Sequence, residues 1–421
     1  MSMERPACRR WRSSNVSEIM DLDLTKDEVE FREEVRDFLR TSLPDYVRDG
    51  AKRTPGVFVE PDIGLVWHRI LNDKGWVAYH WPEDCGGTGW TPMQRYIFEK
   101  ECAVAGAPAL SVLGLRLVGP VICAFGTQEQ KDRFLPAIRA GTDYWCQGYS
   151  EPQSGSDLAS LRTRARRDGD EYVVDGSKIW TTHAHHANWI FCLVRTDGQV
   201  KKQAGISFLL VPMDQPGVAV TPIITMAGDH EVNQVFLDGA RTSVGNRIGE
   251  EGQGWTIAKF LLENERGGSF HAPRLIRAID HLEQLAGIAP SGHNGTLGGD
   301  IQIATRIARL RLEAEALETT ELRILADIAK GRPAGPQTSL VKLISSELHQ
   351  RIDGLTMDLH GYDGLQLPTI RPLYGNEAPP AIGDDDAQVA AARYLNSRAW
   401  TVFGGSSEVQ KNIIAKTVLR L

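Results

Sequence analysis

The texture of the chain changes twice along its 421 residues, and those two changes constrain the fold more than any single motif. From Asp21 to about Ala140 the apolar residues recur at helical spacing. In "LTKDEVEFREEVRDFLRTSL", Val29, Phe31, Val35, Phe38 and Leu39 form one stripe behind a Thr25 cap. Between Tyr144 and about Thr242 the pattern becomes short β-branched and aromatic runs, "EYVVD", "KIWTT", "NWIFCLVRT" and "ISFLLVP". The turn pairs Asp168-Gly169 and Asp175-Gly176 punctuate them. From Gly254 helical periodicity returns and persists to Leu421. The order predicts an α+β multidomain protein, with a helical domain over 21–143, a β domain over 144–253 and a second helical domain over 254–421. Residues 1–20, with Arg5, Arg9, Arg10 and Arg12, read as a disordered arm, Met20 being an alternative start. Local signals add detail: a helix ends at Gly126, Pro136 limits the next, and Ser407 with Gln410 has capping-box spacing.

Composition narrows the function. A net charge of -7 without a basic stripe argues against a nucleic-acid partner. The six cysteines show no C-x-x-C spacing, and all but Cys8 have apolar or aromatic neighbours, as expected of free thiols in a reducing, cytoplasmic setting. No apolar run approaches the length of a membrane span.

The common nucleotide and metal fingerprints, G-x-G-x-x-G after a strand, the P-loop and H-E-x-x-H, do not occur. "GEEGQGW" (Gly249 to Trp255) reads as a turn, and "HAHHANW", with His183, His185 and His186, as surface imidazoles in a loop, with no metal. "YSEPQSGSDLAS" (Tyr149 to Ser160) is more informative, because glycine and small hydroxyl residues let backbone approach a ligand closely. Further on, "KIWTTHA" sets the aromatic plane of Trp180 before Thr181 and Thr182 at a strand end, which suits a planar heteroaromatic ligand. "FGGSSEVQKN" (Phe403 to Asn412) reads as a glycine turn opening a last helix, whose first N–H groups could meet a polar ligand.

"SEPQSGSD", "DGDEYVVDGSKIWTTHAHHANW" and "GGSSEVQKNIIAKTVL" resemble, in order and spacing, the acyl-CoA dehydrogenases, over about residues 21–421. The resemblance implies an N-terminal helical domain, a middle β-barrel-like domain, a C-terminal four-helix bundle and a bound FAD. Tyr149, Ser150, Gly155 and Ser156 would contact the flavin and pyrophosphate, with Ser156 also bordering the thioester pocket. Trp180 would pack on the isoalloxazine beside Thr181, and Thr182 would bond near N5. Ser406 and Glu408 would lie beside the cofactor, and Gly361 of "LHGYDG" near adenosine. The implied reaction removes a proton α to the thioester carbonyl and transfers hydride from Cβ to flavin, giving a trans-2-enoyl-CoA.

Many members carry the base immediately before the glycine of the terminal motif, where this chain has Gly404. A second branch places it on the first long helix of the C-terminal domain. Glu265 in "FLLENERGG" is the matching residue, with Arg266 following toward the substrate and Glu263 as the nearby competitor. The arginine–phenylalanine stretch that serves a neighbouring subunit's FAD has no counterpart near "SGHNGTLGGD", and Asp358 stands where glutamine is common. These departures resemble a bacterial, pimeloyl-CoA dehydrogenase-like subgroup handling bulky or dicarboxylic thioesters. The implied partners are an acyl-CoA, an electron-transfer flavoprotein and further subunits, as a homodimer, a homotetramer or a heteromer with a second dehydrogenase subunit. A non-catalytic subunit and an oxygen-using acyl-CoA oxidase are the rival readings.

Overall fold

The computed structural model describes residues 24–267, 270–292, 295–332, 334–368 and 382–421, the side chains of 263–267 excepted. The arm read over 1–20 lies outside the described residues. The N-terminal layer comprises α1 (Lys26–Ser42), α2 (Asp45–Arg53), α3 (Pro61–Asp73), α4 (Pro92–Ala105), a π-helical turn (Leu113–Val118), α5 (Gly119–Phe125) and α6 (Gln128–Ala140). Thr25 caps α1 reciprocally: its hydroxyl accepts from Glu28 N, and the Glu28 carboxylate accepts from Thr25 N. Pro136 sits inside α6 and does not limit it, because Phe134, Leu135 and Ile138 anchor the helix while Asp132, four residues before the proline, faces solvent. The helix stops instead at Gly141, whose φ of 69° suits an αL cap.

The central sheet contains β1 (Trp145–Gly148), β2 (Arg164–Asp168), β3 (Glu171–Thr182), β4 (Trp189–Arg195), β5 (Ile206–Pro212), β6 (Val218–Ile224), β7 (His230–Ser243) and β8 (Arg247–Ile248). Its order is β6-β7-β3-β2-β4-β5-β8, with β1 parallel to β4. The unbroken apolar runs of β4 and β5 have a physical cause, since both faces of these strands are covered. Phe191, Leu193, Phe208 and Leu210 join the core under the N-terminal helices, and Ile190, Cys192, Leu209 and Val211 pack on the other face.

The C-terminal layer contains α7 (Gly254–Gly267), α8 (Ala272–Ile288), α9 (Ile301–Ala329), α10 (Gln337–His360), α11 (Ala387–Asn396) and α12 (Ser407–Ile413). Three of these, α8, α9 and α10, enclose a core of their own through Leu282, Leu310, Leu317, Leu348 and Leu355. By contrast, α7 gives Ile257, Ala258 and Leu261 to the core shared by the N-terminal helices and the sheet. No described helix is long and apolar enough to cross a membrane.

Candidate active site

The most unusual backbone lies in the middle of β3. Lys178 pairs with Val235 and Thr181 with Asn233, so two residues of β3 oppose one of β7. This bulge carries Trp180 at φ 59°, a left-handed conformation rare for a bulky side chain, and leaves its indole 60% exposed. An exposed indole held by strained backbone wins little by burial, so its placement points to a ligand. Just beyond, the Thr181 hydroxyl is buried without a partner, and Thr182 is half-buried.

The loop after β1 is tied to this bulge. Ile179 N donates to Ser150 O at 2.9 Å, one residue before the indole. Glu151 and Lys178, 3% and 0% exposed, form a buried ion pair at 2.9 Å. Lys178 Nζ also donates to Leu193 O, and Glu151 accepts from the backbone N–H groups of Arg162 and Thr163. Burial opposes ionisation of Glu151, but the Lys178 charge and these donors outweigh it and lower its pKa. The tip beyond this anchor is open: Gly155 and Ser156 are exposed, and a Cβ at Gly155 would have nothing within 4 Å. Tyr149 is buried against Phe191 and Phe208 at the root of the loop. The Ile179–Ser150 hydrogen bond thus ties a bulge with an exposed aromatic plane and a partnerless hydroxyl to the loop whose tip is uncovered, features that suit a planar heteroaromatic group with a polar tail.

The terminal turn is also explained by backbone. Gly404 and Gly405 take φ values of 64° and 86°, a left-handed conformation that glycine adopts without strain, which fits glycine at the expected base position. The cap of α12 is Ser406, one residue earlier than the spacing predicts: its hydroxyl accepts from Val409 N, and the Gln410 amide turns back to the carbonyls of Gly404 and Gly405. Glu408 is exposed in the first turn. Gly361, at φ 56°, ends α10 and lines a cleft with Arg306, Arg309, Arg351 and Arg398, while Asp358 pairs with Arg306.

Glu265 and Arg266 fall in the last turn of α7, and their side chains lie outside the described residues. The described part of that helix is strongly two-sided: Ile257, Ala258 and Leu261 are at most 1% exposed, whereas Thr256 and Lys259 face solvent. Arg398 is engaged by the carbonyls of Tyr394 and Gln350 and stacks on the Tyr394 ring.

Sequence reasoning missed a polar cluster beside α7. Tyr79 OH donates to Glu99 Oε1 at 3.0 Å, with His80 Nε2 and Arg116 Nη1 at 3.4 Å and 3.6 Å from the same oxygen. Arg116 belongs to the π-helical turn packed against α7, and such turns recur at functional sites. Burial would raise the pKa of Glu99, but Arg116, His80 and Tyr79 hold it down at about 2. His80 and His271 are lowered to about 4 by burial and by Arg116, and are therefore neutral near pH 7. The histidine loop also differs from expectation. His183 is buried, bonded to Tyr144 OH at 2.7 Å. Ligand atoms of Glu60, His185 and His186 lie within 4.8 Å of one another. Asn233, however, donates to Thr181 O and presents the same amide nitrogen to His185 Nδ1, so a neutral His185 ring carries its proton on Nε2, the nitrogen a metal would need.

Family models match along the chain: the acyl-CoA dehydrogenase N-terminal domain over residues 25–142, the middle domain over 146–239 and the C-terminal domain over 252–419. Acyl-CoA dehydrogenase IpdE1 of Mycobacterium tuberculosis is 37% identical over 402 residues, covering 94% of this chain and 98% of its own. Among solved structures, the Tcur3481-Tcur3483 steroid ACAD superposes with a TM-score of 0.80 at 31% identity, covering 96% of this chain and 99% of the other. The ChsE4-ChsE5 complex from Mycobacterium tuberculosis gives a TM-score of 0.78 at 30% identity, with coverage of 96% and 99%.

Proposed function

The chain belongs to the acyl-CoA dehydrogenase family, and on that premise we propose that it desaturates a bulky acyl-CoA thioester between Cα and Cβ, with Glu265 as the base. The observation that carries the flavin part is Trp180, an exposed indole on a left-handed bulge that the Ile179–Ser150 hydrogen bond ties to the loop with the open Gly155–Ser156 tip. FAD, when bound, supplies the hydride acceptor. Trp180, Thr181 and Thr182 would hold its ring, Tyr149, Ser150, Gly155 and Ser156 its ring edge and pyrophosphate, and Ser406, Glu408 and Gly361 its flanks.

The chain's own task is to remove the α proton. Glu265 follows Ala258 by seven residues and Leu261 by four, which supports its placement on the buried stripe of α7. A carboxylate among apolar neighbours has its pKa raised, which strengthens it as a base near neutral pH. Ser156 and Arg266 would meet the thioester and its CoA portion. The paired names of the Tcur3481-Tcur3483 and ChsE4-ChsE5 proteins support assembly with a second dehydrogenase subunit, and the steroid description supports a bulky acyl group. An electron-transfer flavoprotein is the proposed acceptor of the electrons.

The protein, coexpressed with any partner subunit, is expected to purify yellow, to release FAD on denaturation, and to bleach anaerobically with an acyl-CoA from a thioester panel. Release of FMN, or no flavin at all, would refute the assignment. Trp180→Ala combined with Thr182→Ala is expected to weaken FAD retention by roughly 10- to 100-fold, from loss of one stacking plane and one hydrogen bond. Folding should change little, since the indole is 60% exposed. Equilibrium dialysis of FAD alongside a melting curve separates the two effects, and unchanged retention would mean that the flavin lies elsewhere.

A further inference from the structure

We infer that Asn233, clamped between His185 and His230, is a positioning residue for the Trp180–Thr182 platform, and that uptake of a proton by His185 opens the clamp and frees the flavin. This deepens the reading of that platform as the FAD site and rests on it. The stretch "HAHHANW" supplies three of the imidazoles involved, and the fold adds His230 from the start of β7.

Asn233 is fully buried and sits opposite Thr181 in the β3–β7 register. Its amide Nδ2 donates to Thr181 O at 3.0 Å and to His185 Nδ1 at 3.0 Å, while Oδ1 accepts from His230 Nε2 at 2.6 Å. A carbonyl can only accept, so Thr181 O fixes which way the amide points. The imidazoles then have fixed roles: His185 must accept through Nδ1, and His230 must donate through Nε2. A second proton on His185 would set an N–H at Nδ1 against the Asn233 N–H. Turning the amide over gives no relief, because Oδ1 would then face Thr181 O and the His230 N–H would meet a donor. One proton therefore breaks the clamp. The bond lost with it is the one that holds Thr181 between two positions of left-handed backbone, Trp180 at φ 59° and His183 at φ 54°. Such backbone costs conformational energy in residues other than glycine, which favours relaxation once the bond is gone.

The surroundings resist that proton at neutral pH. The His185 ring stacks on His230 with centroids 3.9 Å apart, and lies 3.9 Å from His186 and 6.0 Å from His183. Glu60, at the N-cap of α3, attracts a charge on His185 but is engaged by His186 Nε2 at 3.1 Å. The Glu231 carboxylate is taken by Val57 N and Asn396 Nδ2, Tyr144 OH is bonded to His183 Nδ1, and Asp229 precedes His230 in the chain. Burial, His186 and His230 hold the pKa of His185 down at about 4. In the open clamp the ring regains its ordinary value of 6.5. A ring that must stay neutral when clamped makes opening about tenfold easier for each pH unit below 6.5, down to about 4, and has no effect above 6.5. A pH of 5.5 falls inside this window and above 4.5, where the losses from Glu151 and Glu99 begin.

The test is the rate of FAD release from the loaded protein at pH 7.5 and pH 5.5, followed by flavin fluorescence. The wild type is expected to release FAD about 10-fold faster at the lower pH. His185→Asn keeps an acceptor near the Nδ1 position and cannot take the proton, so its two rates should agree within about twofold. Asn233→Ala removes the clamp and should release FAD at one fast rate at both pH values. Hydrogen exchange of the peptide spanning 180–185, corrected for the intrinsic effect of pH, reads the same opening without flavin, through the His183 N–H that donates to Glu231 O at 2.9 Å. Equal wild-type release rates at the two pH values overturn the inference without need of any variant, and so does a rise that persists in His185→Asn. Exchange separates the two failures. If exchange also stays flat, the clamp does not open and the FAD-site reading stands; if exchange rises about 10-fold while release does not, the flavin lies elsewhere and that reading falls as well.

Discussion

Glu265→Gln should retain FAD, bind acyl-CoA normally and lose flavin reduction by about 10²–10⁴-fold or more, the scale of a positioned general base. The substitution preserves shape and removes only the ability to take a proton, so a kinetic loss without a binding loss isolates the chemical step. Glu263→Gln is the control. Residues 263 and 265 are about 200° apart on a helix, and 263 continues the side on which Thr256 and Lys259 are exposed. It should alter anaerobic reduction by less than about threefold, the scale of a surface substitution. Near-normal reduction in Glu265→Gln would assign the base to another residue or subunit, because Gly404, held at φ 64°, offers no carboxylate at the alternative position.

The second large effect is on stability. Lys178→Met should destabilise the protein by about 3–5 kcal/mol, the usual cost of leaving one member of a buried ion pair without its partner. Lys178 is fully buried and donates to Glu151 Oε1, Leu193 O and Tyr149 O, so its loss leaves the buried Glu151 carboxylate without its countercharge. Because Glu151 anchors the Ser150–Ser156 loop, FAD retention should fall with stability. The double variant Glu151→Gln, Lys178→Met should recover part of the loss, since no charge is then stranded, and a double-mutant cycle measures the coupling. A single variant that melts like wild type would show that the pair is not an anchor. The pH dependence follows from the lowered pKa of Glu151. Its contribution is complete above the ordinary value of 4.5 and is lost as pH falls through the depressed folded value. Glu99, at about 2, adds a second loss in the window between 4.5 and 2. Stability should therefore decline progressively below about pH 4.5, and the Lys178→Met profile should be flatter there.

What the sequence by itself determined is everything written in short-range periodicity and stereochemistry. The helix, strand, helix order follows from a side-chain period that changes from 3.6 to 2 and back. The Thr25 cap needs only Glu28, three residues on, and the Gly404–Gly405 turn follows from the rarity of other residues at positive φ. The motif around Trp180 was legible as an aromatic plane followed by two hydroxyls at a strand end, because that arrangement is local. The tertiary structure alone decided which distant groups meet. Glu151 finds Lys178 because the loop after β1 folds back on β3, and His183 is buried because Tyr144 closes over it. The Tyr79–His80 pair, Glu99, Arg116 and His271 come from four separate places in the chain, and no local pattern announces the cluster. Even the last cap moved from Ser407 to Ser406, because two successive left-handed glycines set where the helix begins. A charge paired across dozens of residues leaves no periodic trace in the chain; its partner is chosen by register and packing.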